Sequence, residues 1–220
     1  MSPNPGGANP DGAGPPRRAP GAVVFDLGNV LIDWDPHPAI AASVGDDEAA
    51  RFLAADDFDF GAWNHEQDSG RPFEESEQDA VGRVPHWREH ILAYRQHFER
   101  SLVGAIGGSE AVLRDLHAAG VRLLALTNWS SELFPVALER FDFLGLFEVI
   151  VVSGDERLAK PDPRIFEVLA ERSGVPLADC VFVDDKPENV QAAVDAGMDG
   201  IVFVDDGSLR PALRGRGLPV

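Results

Sequence analysis

The chain has 220 residues, 44% of them hydrophobic, enough for one substantial core with a modest second domain or lid. Its 37 acidic against 19 basic residues leave a formal net charge of −18, which repels phosphate backbones and anionic membrane surfaces and argues against nucleic acid or membrane as a partner. A small anionic substrate would need a cation and one or two local basic groups to reverse that field where it binds.

Residues 1–20 are rich in Pro, Gly, Ala and Asn, with Arg17 and Arg18 their only basic residues and no apolar stretch of secretory or membrane-spanning length; they read as a disordered tail. From Gly21 onward, apolar runs of strand length alternate with segments of helical period, the pattern of parallel strands joined by crossover helices. Strands are expected over 22–25, 122–126, 147–152, 180–183 and 200–204, all rich in β-branched or bulky residues. Helices are expected near 109–119, 131–140, 163–173 and 187–196, and Gly120, Gly174 and Gly197 follow three of them where a C-terminal cap glycine belongs. The fold class is therefore α/β, a Rossmann-like doubly wound parallel sheet.

Residues 37–102 break the alternation. They carry helical periodicity at 39–42, 46–54 and 87–100 but no convincing buried strand, as a helical cap inserted after the first strand would. The domain reading is core over 21–36, cap over 37–102 and the rest of the core over 103–220. Within the cap, 64–72 is polar and turn-rich and reads as a loop between two lid helices. Asp33, Trp34 and Asp35 read as the hinge, and Trp63, Phe73 and Trp87 as lid packing, with His65 and Glu66 near enough to meet a substrate. The single Cys180 cannot form an internal disulfide and sits in an apolar run, which fits a small buried hydrophobe in a reducing cytoplasm.

In a doubly wound sheet, ligands bind beyond the carboxyl ends of the strands where the strand order reverses. The residues that follow the strands are Asp26-Leu27-Gly28-Asn29-Val30, Thr127-Asn128-Trp129-Ser130 and Asp184-Asp185-Lys186-Pro187, with Lys160-Pro161-Asp162-Pro163 in the loop after the third. Each alone has a structural explanation: acids and hydroxyls cap helices and turns, and a lone lysine is usually solvated. Together they supply the parts of phosphoryl transfer to a carboxylate. Asp26 is a nucleophile. Asp26, Asp185 and a backbone carbonyl offer the hard oxygens that Mg²⁺ takes, with Asp184 as a further, water-mediated ligand. Thr127 and Asn128, near a helix N-terminus, hold phosphate oxygens, and Lys160 neutralises charge shared by phosphate and nucleophile.

These four segments, in this order, resemble the four motifs of the haloacid dehalogenase-like hydrolase superfamily over roughly residues 21 to 205. The cap resembles that of the subfamily containing sugar phosphatases, phosphoglycolate phosphatase-like enzymes and the phosphatase domain of epoxide hydrolase. The resemblance implies Asp26 as nucleophile, Thr127 and Asn128 as second motif, Lys160 as third, and Asp184 with Asp185 as fourth. It also implies Mg²⁺ held by Asp26, the Gly28 carbonyl and the acidic pair, and a small phosphorylated substrate. A monomer or homodimer is expected.

One departure matters. Phosphatases of this superfamily carry a second Asp two residues after the nucleophile to protonate the leaving group, and here that position is Gly28. The motif resembles that of bacterial phosphatases acting on glucose 1-phosphate, and an anomeric oxygen leaves more readily than an ordinary alkoxide, so a sugar 1-phosphate depends less on the missing acid. Asp33 is an outside candidate for it. The pair His86 and His90 lacks the order of a zinc protease and an evident third ligand. Two readings stand beside the phosphohydrolase: a metal-independent 2-haloacid dehalogenase, which has no use for two adjacent acids at 184 and 185, and a non-catalytic binding protein that lost its acid.

Overall fold

A computed structural model describes residues 19–220, so the tail expected over 1–20 lies outside the described residues except for Ala19 and Pro20. β1 (Ala22–Phe25) is followed by a tight turn and β2 (Ile32–Trp34). Five cap helices come next: α1 (His37–Val44), α2 (Asp46–Leu53), α3 (Phe60–Asp68), α4 (Phe73–Arg83) and α5 (Arg88–Gln96). β3 (Leu102–Ala105) returns antiparallel to β2, so a two-stranded ribbon ties both ends of the cap together. Neither short strand was expected, because three or four residues carry too little alternation to register.

The core continues with α6 (Gly107–Ala118), β4 (Arg122–Thr127), α7 (Phe134–Arg140) and β5 (Val149–Val152). After these come α8 (Ser153–Glu156), α9 (Pro163–Ser173), β6 (Cys180–Asp184), α10 (Pro187–Asp195), β7 (Asp199–Val202) and α11 (Asp206–Arg214). The five strands form one parallel sheet in the order β5-β4-β1-β6-β7. Gly120, Gly174 and Gly197 follow α6, α9 and α10 with φ of 76°, 65° and 99°. The expected 131–140 helix starts later, at Phe134, with Pro135 in its first turn.

β1 is buried along its whole length, which its apolar sequence requires. Val23 and Phe25 join one hydrophobic cluster with α6, α11 and the cap aromatics, and Ala22 and Val24 join a second with α9 and Phe182. Cys180 is buried in that second cluster, and burial raises its thiol to about 11. Chain order runs outward from β1 through β4 to β5, then crosses to β6 and β7, so the switch point lies at the end of β1.

Of the segment 64–72, only 69–72 form the loop between two cap helices, α3 and α4. Asn64 to Asp68 complete α3, whose N-terminus is capped by Asp59 accepting from the Ala62 N–H at 2.9 Å. Phe60, Trp63 and Gln67 are buried in the cap, whereas Gly61, Asn64, His65 and Asp68 line a cavity. The latter positions share one helical stripe, which borders a cavity lined from the other side by the core domain.

Candidate active site

Asp26 is the residue that directly follows β1. Its N–H donates to the Val183 carbonyl at 2.8 Å, continuing the pairing with β6. Its Oδ1 accepts from the Leu27 N–H at 2.7 Å and meets Lys160 Nζ at 3.0 Å. Both contacts fall on Oδ1, leaving Oδ2 to face a ligand. The turn behind it closes when the Leu31 and Ile32 N–H groups donate to the Leu27 carbonyl, with Asn29 in the left-handed region at φ 56°, a conformation that Asn tolerates.

Lys160 is 1% exposed and is not the solvated lysine that its sequence context alone suggests. Its ammonium donates to Asp184 Oδ2 at 2.7 Å while touching Asp26. Burial pulls its pKa down, but the two carboxylates outweigh that and hold it above the usual lysine value. Burial likewise raises Asp26 to about 7, opposed by Lys160 and reinforced by the charge of Asp184. Asp185 is raised by burial and by Asp184.

Asp26, Asp184 and Asp185 each place a carboxylate oxygen within 4.8 Å of the others, and they are the one cluster of metal-ligating side chains among the described residues. The chemistry of this donor set fits Mg²⁺, which prefers hard oxygens. Asp184 is the most committed of the three: besides Lys160, it accepts from the Lys186 N–H at 2.8 Å and from Asn189 Nδ2 at 3.0 and 3.1 Å. His86 and His90 do not assemble a centre. His86 pairs with Asp57 at 2.9 Å, and His90 packs edge-on against Trp87 with centroids 4.8 Å apart.

Thr127, the last residue of β4, is 1% exposed, and its hydroxyl is buried without a hydrogen-bond partner. An orphaned polar atom there is a position that a phosphate oxygen would satisfy. Asn128 has a second role beside the one expected. Its side-chain oxygen accepts from the Lys160 N–H at 2.8 Å and one of its two Nδ2 hydrogens donates to the Lys160 carbonyl at 2.9 Å, so it positions the lysine while its second N–H is not used in that pairing and the residue lines the cavity.

The cavity above Asp26 has a volume of about 190 Å³. Gly28, Asp185 and Lys186 line it from the core, and Trp34, Tyr94 and Phe98 from the ribbon and cap. Asp33 does not line it and lies exposed on β2. Sequence reasoning missed Asp68, Asn189, Ser130 and Ser153. For Asp68 the available signal was the spacing 61, 64, 65, 68, which is helical. The cap is anchored over the site by the Phe73 N–H donating to Glu132 Oε1 at 2.9 Å and by the Ser153 hydroxyl donating to the Asp68 carbonyl.

Fold and site together define an α/β protein whose acidic centre sits at the switch point of a parallel sheet under a helical lid. The chain belongs to the haloacid dehalogenase-like hydrolase family, which it matches over residues 20–197. It is 29% identical over 196 residues to a phosphoglycolate phosphatase of Pseudomonas savastanoi pv. phaseolicola, covering 82% of this chain and 68% of that protein. It is 28% identical over 185 residues to drimenol cyclase drtB of Aspergillus calidoustus, covering 83% of this chain and 34% of that protein. The chain spans between about a third and a half of several curated relatives it matches. Among solved structures, the magnesium complex of the family enzyme bt-2542 from Bacteroides thetaiotaomicron superposes with a TM-score of 0.68 at 19% identity, covering 90% of this chain and 99% of that one. Among the described residues no helix is long and apolar enough to cross a membrane.

Proposed function

We propose that this chain is a Mg²⁺-dependent phosphohydrolase of a small phosphorylated metabolite, a sugar phosphate in particular, acting through an aspartyl phosphate on Asp26. The observation that carries the reading is the buried Lys160 ammonium, 3.0 Å from Asp26 and 2.7 Å from Asp184, next to the motif that presents the orphaned Thr127 hydroxyl.

Asp26 Oδ2 attacks phosphorus and the bond to the leaving oxygen breaks. Lys160 offsets the charge shared by nucleophile and phosphate, and Thr127 with the main chain of the Asn128 loop holds phosphate oxygens. Asp26, the Gly28 carbonyl and Asp185 would hold Mg²⁺, with Asp184 reaching it through water. The ion would supply the positive charge that a phosphate needs in a chain of net charge −18. The aromatic walls Trp34, Tyr94 and Trp129 suit the apolar face of a sugar ring. A dehalogenase reading leaves Asp185 without a role.

The test is hydrolysis of p-nitrophenyl phosphate, expected to vanish in EDTA, return with Mg²⁺ and be abolished in Asp26→Asn. Retained activity in that variant refutes the covalent mechanism, and halide release in EDTA would favour the dehalogenase. A panel of phosphorylated metabolites then identifies the leaving group.

A further inference from the structure

The position two residues after the nucleophile is Gly28, where an added Cβ would meet nothing within 4 Å. No side chain therefore reaches the leaving group from that side. The cap brings a carboxyl group into the same cavity from the other side, on Asp68, the last residue of α3.

Two contacts hold Asp68 in place. Asn64, one helical turn earlier, donates its Nδ2 to Asp68 Oδ2 at 3.0 Å. The Ser153 hydroxyl donates to the Asp68 carbonyl and itself accepts from the Trp129 N–H at 2.9 Å. The side chain is thus oriented by the cap helix itself, and its main chain is tied through Ser153 to the loop after β4, which positions the carboxyl group as a proton-transfer group must be.

Resting on the phosphohydrolase reading above, we propose that Asp68 is the general acid and base of the reaction, supplied from the cap in place of the side chain absent at Gly28. Its surroundings suit the role. Burial raises its carboxyl to about 7; Lys186, the Ser130 N–H and Lys160 oppose that, and the charge of Asp26 adds to it. The acid form needed to donate is therefore populated near neutral pH.

The steps balance. As Asp26 Oδ2 bonds to phosphorus, the electron pair of the breaking P–O bond stays on the leaving oxygen, which takes the Asp68 proton and departs as an alcohol. The Asp68 carboxylate then accepts a proton from water as the water oxygen attacks the aspartyl phosphate. The bond from phosphorus to Asp26 breaks, Asp26 returns as a carboxylate, phosphate leaves and Asp68 is protonated again. With this acid in place, the substrate is not restricted to sugar 1-phosphates.

The experiment uses Asp68→Asn, which keeps the shape of the side chain but cannot give up the proton, with phenyl phosphate and p-nitrophenyl phosphate in rapid-quench kinetics. Phenolate is a poor leaving group and p-nitrophenolate a good one. Formation of the phosphoenzyme is expected to fall roughly 10²-fold or more with phenyl phosphate and under about 10-fold with p-nitrophenyl phosphate. The latter should give a burst of one equivalent of p-nitrophenolate, followed by slow turnover with phosphoenzyme accumulating, and that burst itself reports a folded site. Adding Gly28→Asp to Asp68→Asn should restore at least tenfold of the lost turnover. Equal losses on both substrates without a burst, or unchanged turnover of phenyl phosphate, overturn the proposal, and failure of Gly28→Asp to rescue counts against it. If the wild-type protein forms no phosphoenzyme, the phosphohydrolase reading fails instead.

Discussion

The side-chain amide of Asn128 holds the main chain of Lys160 at both ends, its Oδ1 accepting from the Lys160 N–H at 2.8 Å and its Nδ2 donating to the Lys160 carbonyl at 2.9 Å. These two residues lie 32 positions apart in the chain, and the contact fixes how far the buried ammonium reaches toward Asp26 and Asp184.

Asn128→Ala removes both bonds and leaves a partly buried N–H and C=O unpaired. The expected outcome is a loss of about 1–3 kcal/mol of stability, read from denaturant midpoints, and a fall in kcat as Lys160 loses its place. An Asn128→Asp variant keeps the acceptor and loses only the donor, so it should fall between.

Thr127→Val deletes a hydroxyl that has no protein partner. Its melting temperature should equal or exceed that of the wild type, because no hydrogen bond is lost. Competitive inhibition by inorganic phosphate should weaken by roughly 10-fold or more, the usual worth of a hydrogen bond to a charged group. Unchanged inhibition would remove Thr127 from the phosphate site.

Burial raises Asp26 to about 7 from an ordinary value of 3.8. Between those values the folded protein holds a proton that the unfolded chain has released, so the Asp26 contribution to metal-free stability is full below about pH 4 and is lost as pH rises through 7. In EDTA, Asp26→Asn should therefore melt above the wild type at pH 7.5, and the gap should close toward pH 4.5. Mg²⁺ should raise the wild-type melting temperature and leave the variant nearly unmoved.

Gly70 follows α3 with φ +93°, and a Cβ there would stand 2.8 Å from Arg157 Cγ and 2.9 Å from the Gly154 carbonyl oxygen. Gly70→Ala combines left-handed strain of roughly 1–2 kcal/mol with a push of the cap away from α8. We expect a modest stability loss and a more than tenfold fall in kcat, because the displaced element ends on Asp68. Unaltered kcat would show that the seating of the cap edge does not matter to the chemistry.

The strands were legible because parallel strands buried on both faces must be apolar throughout, as 22–25 and 180–183 are. The residues that end them were legible for a related reason: an acid or a hydroxyl at the carboxyl end of such a run lies on the edge of the sheet where ligands bind. The loop expected over 64–72 is confined to 69–72, because polar residues such as 64–68 have two causes, solvent and a cavity, and sequence cannot separate them. Asn64, His65 and Asp68 are polar on a helix that borders the cavity shared with the core domain. β2 and β3 were missed because so short a ribbon is stabilised by pairing 102–105 with 32–34, a contact that local pattern does not encode.

What the sequence determined by itself is which candidate residues stand at or after the strand ends: Asp26, Thr127, Asp184 and Asp185, with Lys160 in the loop that follows β5 and α8, are set by local order along the chain. Only the tertiary structure decided which groups stand across from them. It turned the Asn128 amide onto Lys160, packed Asn189 against Asp184, and carried Asp68 on the cap to Ser153, 85 positions away. Such contacts depend on how helices dock on a sheet, a matter of packing between distant segments, and so the acid that Gly28 lacks appears only once the cap is folded over the site.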